Sequence, residues 1–257
     1  MGWLLALGIL GTTARKKVGA VVLACWRAGV LACWGAGVLS APVLIAQGTS
    51  TVTGTITTTA KGLAPVRVTI DQKVCGTELP DQAVVVDAHG RLANAVVVLT
   101  GVKPFDSPRL AQGKRPAADA TITNDTCAFA PRVQIVRPNA NVKTTSKDPI
   151  LHTTNAQLEN GRTLFNVALP IAGLTITKAI GNAGKVRLSC NTHPWMRGWL
   201  VVTDEAAAIT GADGRFSIDN VPPGSYELRI WHESLKRAPH KITVTAGKAT
   251  DLTVQMK

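Results

Sequence analysis

Residues 186–202 read Val-Arg-Leu-Ser-Cys-Asn-Thr-His-Pro-Trp-Met-Arg-Gly-Trp-Leu-Val-Val. An apolar, alternating run ends at Cys190 and a second one begins near Gly198, which predicts two adjacent strands joined by a short loop. The loop carries Cys190, His193 and Met196. A loop this tight can direct a thiolate, an imidazole and a thioether towards one centre.

These side chains favour copper. Two histidines and one cysteine in a trigonal plane, with a weak axial methionine, are the ligands of blue copper sites. Zinc is a weaker candidate because its sites are closed tetrahedral sets without thioether. The second histidine must come from elsewhere, and His152 lies 38 residues before Cys190 at the start of a candidate strand. We expect mononuclear copper bound by His152, Cys190, His193 and Met196. The alternative is that all four are ordinary core and surface residues.

The sequence on both sides of this loop also predicts strands. Short apolar or alternating runs, separated by turn signals, lie at 51–59, 66–70, 83–86, 95–99, 133–136, 163–169, 174–177, 185–190 and 199–203. No stretch sustains a capped helical period. The pattern predicts an all-β sandwich.

A second unit is predicted to begin near Asp204. Residues 211–214, Gly-Ala-Asp-Gly, form a hairpin signal, and Val-Pro-Pro-Gly at 221–224 marks another turn. Further alternating runs follow these turns. We therefore divide the chain into a copper domain at 47–204 and a small antiparallel sandwich at 205–257.

The first 46 residues are predicted to export the chain. Arg-Lys-Lys at 15–17 precedes an apolar stretch that runs to Ala46, the layout of a signal peptide. The stretch 18–46 is also long enough to span a bilayer as an uncleaved membrane tether, and a cysteine within it could carry a lipid. Each alternative places the remainder outside the cytoplasm, in the periplasm or cell envelope.

Composition limits the class of partner. The chain has 28 Lys and Arg against 16 Asp and Glu, for a net charge of +12, without a basic block beyond residue 46. Aromatic residues make up 4%, so stacking platforms for nucleic acid are not expected. A generally basic surface predicts acidic partners. The sequence lacks the common hydrolase and nucleotide-binding motifs, so we do not expect an enzyme.

On these residues, the segment 54–204 resembles a cupredoxin domain, similar to plastocyanin and pseudoazurin. In that family a lone histidine follows a loop, and Cys-x-x-His with a nearby methionine lies near the end of the domain. His152 and Cys190-x-x-His193-x-x-Met196 match this pattern. The resemblance implies a Greek-key sandwich with one copper ion cycling between Cu(I) and Cu(II). Two features depart from the family: Thr153 stands where the family often has Asn, and the His-to-Met spacing is shorter than in plastocyanin.

The copper interpretation also bears on the remaining cysteines. We expect a disulfide between Cys75 and Cys127, because a bridge to Cys190 would leave no thiolate for copper. The alternative is that all three thiols are free and buried. In the family the exposed ligand histidine is the usual electron port, so the resemblance implies that electrons leave through His193.

The C-terminal unit resembles carboxypeptidase regulatory-like domains, which are transthyretin-like sandwiches. The matching residues are Thr-Gly-Ala-Asp-Gly-Arg-Phe at 210–216 and Val-Pro-Pro-Gly-x-Tyr-x-Leu at 221–228. Such domains are mostly structural or interaction modules, and some relatives in that broad carbohydrate-binding-like fold bind carbohydrate. We expect Trp231 to pack between the two domains. A sugar platform or a second metal site is the alternative.

The sequence therefore predicts an exported all-β protein, a Greek-key cupredoxin sandwich followed by a small antiparallel sandwich. Its expected function is one-electron transfer with an acidic redox protein partner. One alternative is a cell-envelope module that binds a carbohydrate or protein partner and carries a degenerate metal site. The other is a copper carrier that uses the same ligands.

Overall fold

The computed structural model describes residues 48–103 and 117–257. The predicted signal peptide or anchor at 1–46 lies outside these residues. Over the described part the chain consists of strands and a single four-residue helix, so the all-β prediction is confirmed. Within the same part, no helix has the length and apolarity needed to cross a membrane.

The elements, in chain order, are β1 (Ser50–Thr58), β2 (Val66–Arg67), α1 (Gln72–Cys75), β3 (Glu78–Leu79), β4 (Val96–Thr100), β5 (Ala117–Asp125), β6 (Ala128–Ala130), β7 (Val133–Ser146), β8 (His152–Leu158), β9 (Thr163–Leu169), β10 (Thr175–Ala179), β11 (Lys185–Ser189), β12 (Arg197–Val202), β13 (Ala206–Ile209), β14 (Arg215–Val221), β15 (Gly224–Trp231), β16 (His240–Val244) and β17 (Thr250–Met256).

The predicted metal loop connects two strands of an eight-stranded sheet. The strands of this sheet run in the order β6-β5-β7-β12-β11-β8-β9, and β10 pairs with β7. Buried and exposed residues alternate along β9 and β11, as expected for strands with one face on a core. The buried side chains form one cluster that includes Phe129, Leu188, Leu200, Cys190 and Met196. The sheet thus carries a continuous core up to the edge of the metal loop.

The long strand β7 takes part in two ladders on one side. Its first residues, Val133–Val136, pair in parallel with β12, whereas residues 141–145 pair antiparallel with β10. Between these stretches lie Pro138, which has no N–H to donate, and Asn139, whose φ is 62°. Both features interrupt a regular ladder. The register between β5 and β7 also shifts at this point.

A second sandwich is formed by two smaller sheets, of order β14-β1-β17 and β13-β4-β15-β16. Its hydrophobic core includes Ile56, Leu99, Phe216, Leu228 and Met256. The three-stranded sheet packs tightly, because a side chain in place of Gly54 would collide with the ring of Phe216 and the carbonyl of Leu252.

The sheet pairing departs from the predicted boundary at residue 204. Strands β1 and β4 lie within 47–204, yet β1 pairs with β14 and β17, and β4 pairs with β13 and β15. The physical reason is that the C-terminal residues alone supply too few strands to close a core. The predicted strand at 51–59 was correct as an element, but its partners lie almost two hundred residues away, as in Val52 and Thr250.

The two sandwiches meet through side chains of β12 and β15. The rings of Trp199 and Trp231 are 5.2 Å apart in an edge arrangement, within an apolar cluster that includes Val96, Val133 and Val201. The predicted packing of Trp231 between the two units agrees with this contact. Beside it, Arg132 donates to Glu233 through Nε at 2.7 Å and through Nη2 at 2.9 Å.

Residues 66–79, which we call the tethered segment, consist of β2, α1 and β3. The predicted strand at 66–70 is reduced to the two residues of β2, which pair with β3. Cys75 at the end of α1 forms a disulfide with Cys127, which confirms the predicted pair. Val68, Cys75 and Cys127 are buried in a small cluster to which Trp195 of the metal loop also contributes. The tethered segment is thereby held against the metal loop.

Candidate metal centre

The predicted metal loop, residues 190–196, connects β11 to β12. These strands are antiparallel neighbours, and Ser189 at the end of β11 pairs with Arg197 at the start of β12. Both ends of the loop are therefore held at a fixed separation. Within it, the backbone N–H of Met196 donates to the carbonyl of His193 at 3.0 Å, which turns the chain back towards β12. The three ligands predicted in this loop are all buried.

His152 reaches the loop because β8 is the other neighbour of β11. Ser189 pairs with Asn155, so the first residues of β8 extend beside Cys190. The side chain of His152 is completely buried. A residue 38 positions upstream of Cys190 is thus placed beside it by antiparallel pairing of β8 with β11.

Thr153 ties the two ligand-bearing segments together. Its backbone N–H donates to Sγ of Cys190 at 3.3 Å, and its hydroxyl oxygen accepts from the N–H of Asn191 at 2.7 Å. Its Oγ1 also lies 3.7 Å from the same sulfur. The threonine at this position, a departure from the family pattern, therefore still links the loops.

Three potential ligand groups converge in the interior. Ligand atoms of His152, Cys190 and His193 all lie within 4.8 Å of one another, and the imidazole rings are 4.6 Å apart. Nδ1 of His193 lies 3.6 Å from Sγ of Cys190. Nδ1 of His152 is buried and makes no hydrogen bond. Because an unpaired buried nitrogen is costly, a bound metal ion is the natural partner for it. Thiolate and two imidazoles fit copper.

Met196 is buried in the same cluster as Cys190. It precedes β12 directly, so its position in the chain is fixed by the turn to His193. The structure thus brings His152, Cys190 and His193 together and buries Met196 at the end of the same loop. Its role as the axial ligand stays a prediction.

Each histidine has a carboxylate on the side away from the cluster. Nε2 of His152 lies 2.9 Å from Oδ2 of Asp148, and Nε2 of His193 lies 3.0 Å from Oδ2 of Asp71. Metal-bound histidines generally donate their second N–H to such a partner, which fixes the ring orientation. With Nε2 held by an aspartate, Nδ1 is the nitrogen left for a metal in both rings.

Sequence reasoning missed both aspartates. Asp148 is four residues before His152, so a search for carboxylates near the predicted ligands could have found it. Asp71 is 122 residues from His193, and no local signal connects them. Asp148 is also buried and accepts from the backbone N–H groups of Thr126 and Cys127, each at 2.9 Å.

The electrostatics of the cluster favour a thiolate. Burial raises the pKa of Cys190, but interactions with His152, Thr153 and His193 outweigh it and lower the pKa from 9.0 to about 5. Burial likewise works against protonation of His152, yet the neighbouring Cys190 and Asp148 raise the pKa of this imidazole. The metal-free site thus stabilises the ionised sulfur that a metal requires.

A second group of potential ligands, Cys127, Asp148 and His152, overlaps with this site. It is not an independent centre, because the sulfur of Cys127 is engaged in the disulfide.

Further along the chain, the alternative of a second metal near Trp231 has no support, since Glu233 is paired with Arg132. His232 is buried, which lowers its pKa, and its Nδ1 accepts from a backbone N–H.

The predicted electron port differs from the structure. His193 was expected to be exposed, but it is completely buried. On one side Asp71 of the tethered segment contacts its Nε2, and on another the ring of Trp195 lies 5.2 Å away. The indole N–H of Trp195 donates to the carbonyl of Cys127 at 3.2 Å. The physical reason is that the disulfide holds the tethered segment over this imidazole.

Comparison with known families supports the interpretation of the C-terminal unit. The family described as "Carboxypeptidase regulatory-like domain" has a model that matches residues 197–257. The match begins with β12 and therefore includes the strand that follows the metal loop. No curated protein matches the chain.

Among solved structures the chain is similar to cupredoxins. A purple cupredoxin from Nitrosopumilus maritimus is 24% identical with a TM-score of 0.30, over 33% of this chain and 100% of that chain. Amicyanin from Paracoccus versutus is 14% identical with a TM-score of 0.30, over 42% of this chain and 97% of that chain. A copper-containing nitrite reductase from Thermus scotoductus is 19% identical with a TM-score of 0.28, over 37% of this chain and 26% of that chain.

Proposed function

We propose that this protein binds a single copper ion through His152, Cys190 and His193, with Met196 as the axial ligand, and that it transfers single electrons. The observation that carries the proposal is the buried convergence of one free cysteine sulfur and two imidazoles, in which Nδ1 of His152 makes no hydrogen bond. Buried side-chain nitrogens of native proteins are generally paired, so this Nδ1 favours a bound ion.

The chain's own residues would keep this geometry fixed during the redox cycle. When bound, copper supplies the one-electron couple between Cu(I) and Cu(II). Thr153 holds the sulfur of Cys190, Asp148 and Asp71 hold the two imidazoles, and the paired strands β8, β11 and β12 fix the segments that bear the ligands. A rigid ligand set needs little rearrangement when the charge of the metal changes.

Export and a redox partner complete the proposal. The N-terminal segment would deliver the chain to the periplasm or cell envelope, where the disulfide between Cys75 and Cys127 is stable. The net charge of +12 favours an acidic redox protein as partner. Arg187 and Arg197 flank the metal loop in sequence and are exposed, so they can contribute to such steering.

Two other functions make different predictions. A copper carrier must give up its metal readily, and the burial of all four predicted ligands argues against this. A binding module is favoured by a cleft of about 620 Å³ that is lined in part by Trp231, Arg229 and Lys185. A binding module alone, however, would not explain the buried convergence of Cys190 with two imidazoles.

Titration of the full chain with Cu(II), followed by its visible spectrum, tests the proposal. We expect one copper per chain and an intense thiolate-to-copper absorption that Cys190→Ser abolishes. Cys190→Ser keeps nearly the same size, so loss of the band would report on the sulfur alone. A reversible one-electron voltammogram would favour electron transfer over the function of a copper carrier. Absence of stoichiometric copper would overturn the proposal, and glycan binding at the cleft would then be examined.

A further inference from the structure

The carboxylate behind His193 comes from a different part of the chain than the carboxylate behind His152. Asp148 lies on the segment that leads into β8, whereas Asp71 lies in the tethered segment. Oδ2 of Asp71 is 3.0 Å from Nε2 of His193, and the side chain of Asp71 remains 40% exposed. One face of this carboxylate therefore meets the buried imidazole, and another faces solvent.

The backbone around Asp71 is built to present this side chain. Asp71 is the N-cap residue of α1 and has a left-handed φ of 52°, but its side chain makes no capping hydrogen bond to the helix. An N-cap aspartate ordinarily uses its carboxylate on the first turn. Here the carbonyl of Asp71 accepts from the N–H groups of Val74 and Cys75, each at 2.9 Å, and the carboxylate is left free to reach His193.

A covalent bond fixes this arrangement. Cys75 ends the helix that Asp71 begins, and its sulfur is joined to Cys127. The N–H of Cys127 in turn donates to Asp148, the carboxylate that holds His152. The disulfide therefore joins the tethered segment to Cys127, and a hydrogen bond from Cys127 continues the connection to the aspartate that holds His152.

We propose that Asp71 is a positioning residue of the metal centre and that the tethered segment acts as its cover; this inference rests on the proposed copper site. By accepting from Nε2, Asp71 holds the imidazole of His193 with Nδ1 towards Sγ of Cys190. The cover prevents the ring from swinging outwards, so it slows the release of the metal. The negative charge of the carboxylate also stabilises Cu(II) relative to Cu(I).

Two substitutions separate the parts played by the hydrogen bond and the charge. Asp71→Gly removes the side chain at a φ that glycine adopts without strain. Asp71→Asn keeps an acceptor oxygen and tolerates the left-handed backbone but loses the charge. Matched controls in the second sandwich are Asn220→Gly, another left-handed position, and Asp219→Asn, an exposed aspartate that contacts a serine hydroxyl.

The full copper-loaded chain is mixed with excess chelator, and loss of its visible band is timed. We expect Asp71→Gly to release copper about ten- to hundred-fold faster than the parent chain, the range typical of lost outer partners. Asp71→Asn should release copper more slowly than Asp71→Gly, but both should raise the reduction potential. The two controls should leave the release rate and the potential unchanged. Equal release and equal potentials in all variants would overturn the inference while leaving the copper site intact.

A metal-free readout separates this inference from the copper proposal. In the NMR spectrum of the metal-free chain, the Nε2 proton of His193 should be protected from solvent exchange in the parent and in both controls. Asp71→Gly should remove that protection, while the protection of the His152 proton is retained. If the chain takes up no copper, the proposed function fails, yet this signal still decides whether Asp71 positions His193. Unaltered protection in Asp71→Gly would contradict its role.

Discussion

The two histidines of the candidate metal centre are held by two differently built halves of one site. In the local half, His152 contacts Asp148 only four residues away, and that aspartate is 8% exposed. In the long-range half, His193 contacts Asp71 across 122 residues, through a carboxylate that is 40% exposed. The chemistry is the same, an imidazole Nε2 facing a carboxylate, but the connectivity and the burial are different.

The difference shows how stability and function are divided between the halves. Asp148 accepts three hydrogen bonds in the interior, so it supports the fold as well as the metal ligand. Asp71 contributes one contact at the edge, and its position depends on a helix of one turn and a disulfide. We expect perturbation of the local half to destabilise the protein and perturbation of the long-range half to act mainly on the metal.

Removing the disulfide should have the largest effect. In Cys75→Ala/Cys127→Ala a cross-link spanning 52 residues is lost. The free energy of unfolding should fall by about 4 kcal/mol, because the unfolded chain regains entropy. Urea denaturation of the metal-free chain measures this. The exchange protection of the His193 Nε2 proton should also be lost while that of His152 persists. Equal loss at both histidines would show that the halves are not independent.

Asp148→Ala should cause the next largest loss in the free energy of unfolding. It leaves the N–H groups of Thr126 and Cys127 and the imidazole of His152 without an acceptor, and the loss at each buried group costs about 1–3 kcal/mol. We expect a net destabilisation of about 3 kcal/mol. Asp71→Gly should cost only about 1 kcal/mol, because it removes a single hydrogen bond made by a carboxylate that is 40% exposed, and glycine adopts the left-handed backbone without strain. Equal destabilisation by the two substitutions, measured by thermal or urea unfolding, would contradict the division between the halves.

The thiolate should make metal-free stability depend on pH. The pKa of Cys190 is lowered from 9.0 to about 5 in the folded chain. Between about pH 5 and pH 6.5 only the unfolded state carries the thiol proton, so stability should rise with pH by about 2 kcal/mol. Above about pH 6.5 the raised pKa of His152 acts in the opposite direction, because the folded state keeps a proton that the unfolded state loses.

Urea unfolding of the metal-free chain at a series of pH values measures this dependence. Cys190→Ser is the matched control, since it removes the titrating sulfur but little volume. Its stability should rise less than that of the parent over the lower interval. Parallel curves for the two proteins would mean that the sulfur is protonated in the folded state.

Thr153→Val should have a small effect on stability, comparable to that of Asp71→Gly. The valine keeps the shape of the side chain but cannot accept from Asn191 or contact the sulfur of Cys190 through oxygen. One lost hydrogen bond corresponds to about 1 kcal/mol of unfolding free energy. The thiolate-to-copper absorption should also shift. A variant with parent stability and an unshifted band would show that Thr153 does not link His152 to the metal loop.

The local parts of the site were predictable from sequence because strand pairing is local there. Cys190 and His193 share one loop between neighbouring strands, and His152 begins the strand on the other side of β11. Alternation of buried and exposed positions identified β1, β9 and β11 as strands, whatever the distance to their partners in the chain. Thr153 lies at the position where the family's loop-linking residue was expected, although its chemistry is different.

Contacts between residues far apart in the chain could not be predicted from the sequence. Nothing in the sequence around Ser50–Thr58 shows that β1 pairs with β17 rather than with a strand of the eight-stranded sheet. An alternating strand can pair at the edge of either sheet. The contact of Asp71 with His193 likewise depends on the disulfide that places α1 over the loop. The expectation of an exposed His193 was therefore wrong: the tethered segment that covers it gives no local signal.

X-ray absorption at the copper edge of the copper-loaded full chain tests the central claim most directly. The account predicts one copper per chain, with one short sulfur ligand and two imidazole nitrogens. In Cys190→Ser the short sulfur ligand should be absent. A copper environment made only of nitrogen and oxygen in the parent chain, or one identical in the parent and in Cys190→Ser, would contradict a copper centre built on Cys190, His152 and His193.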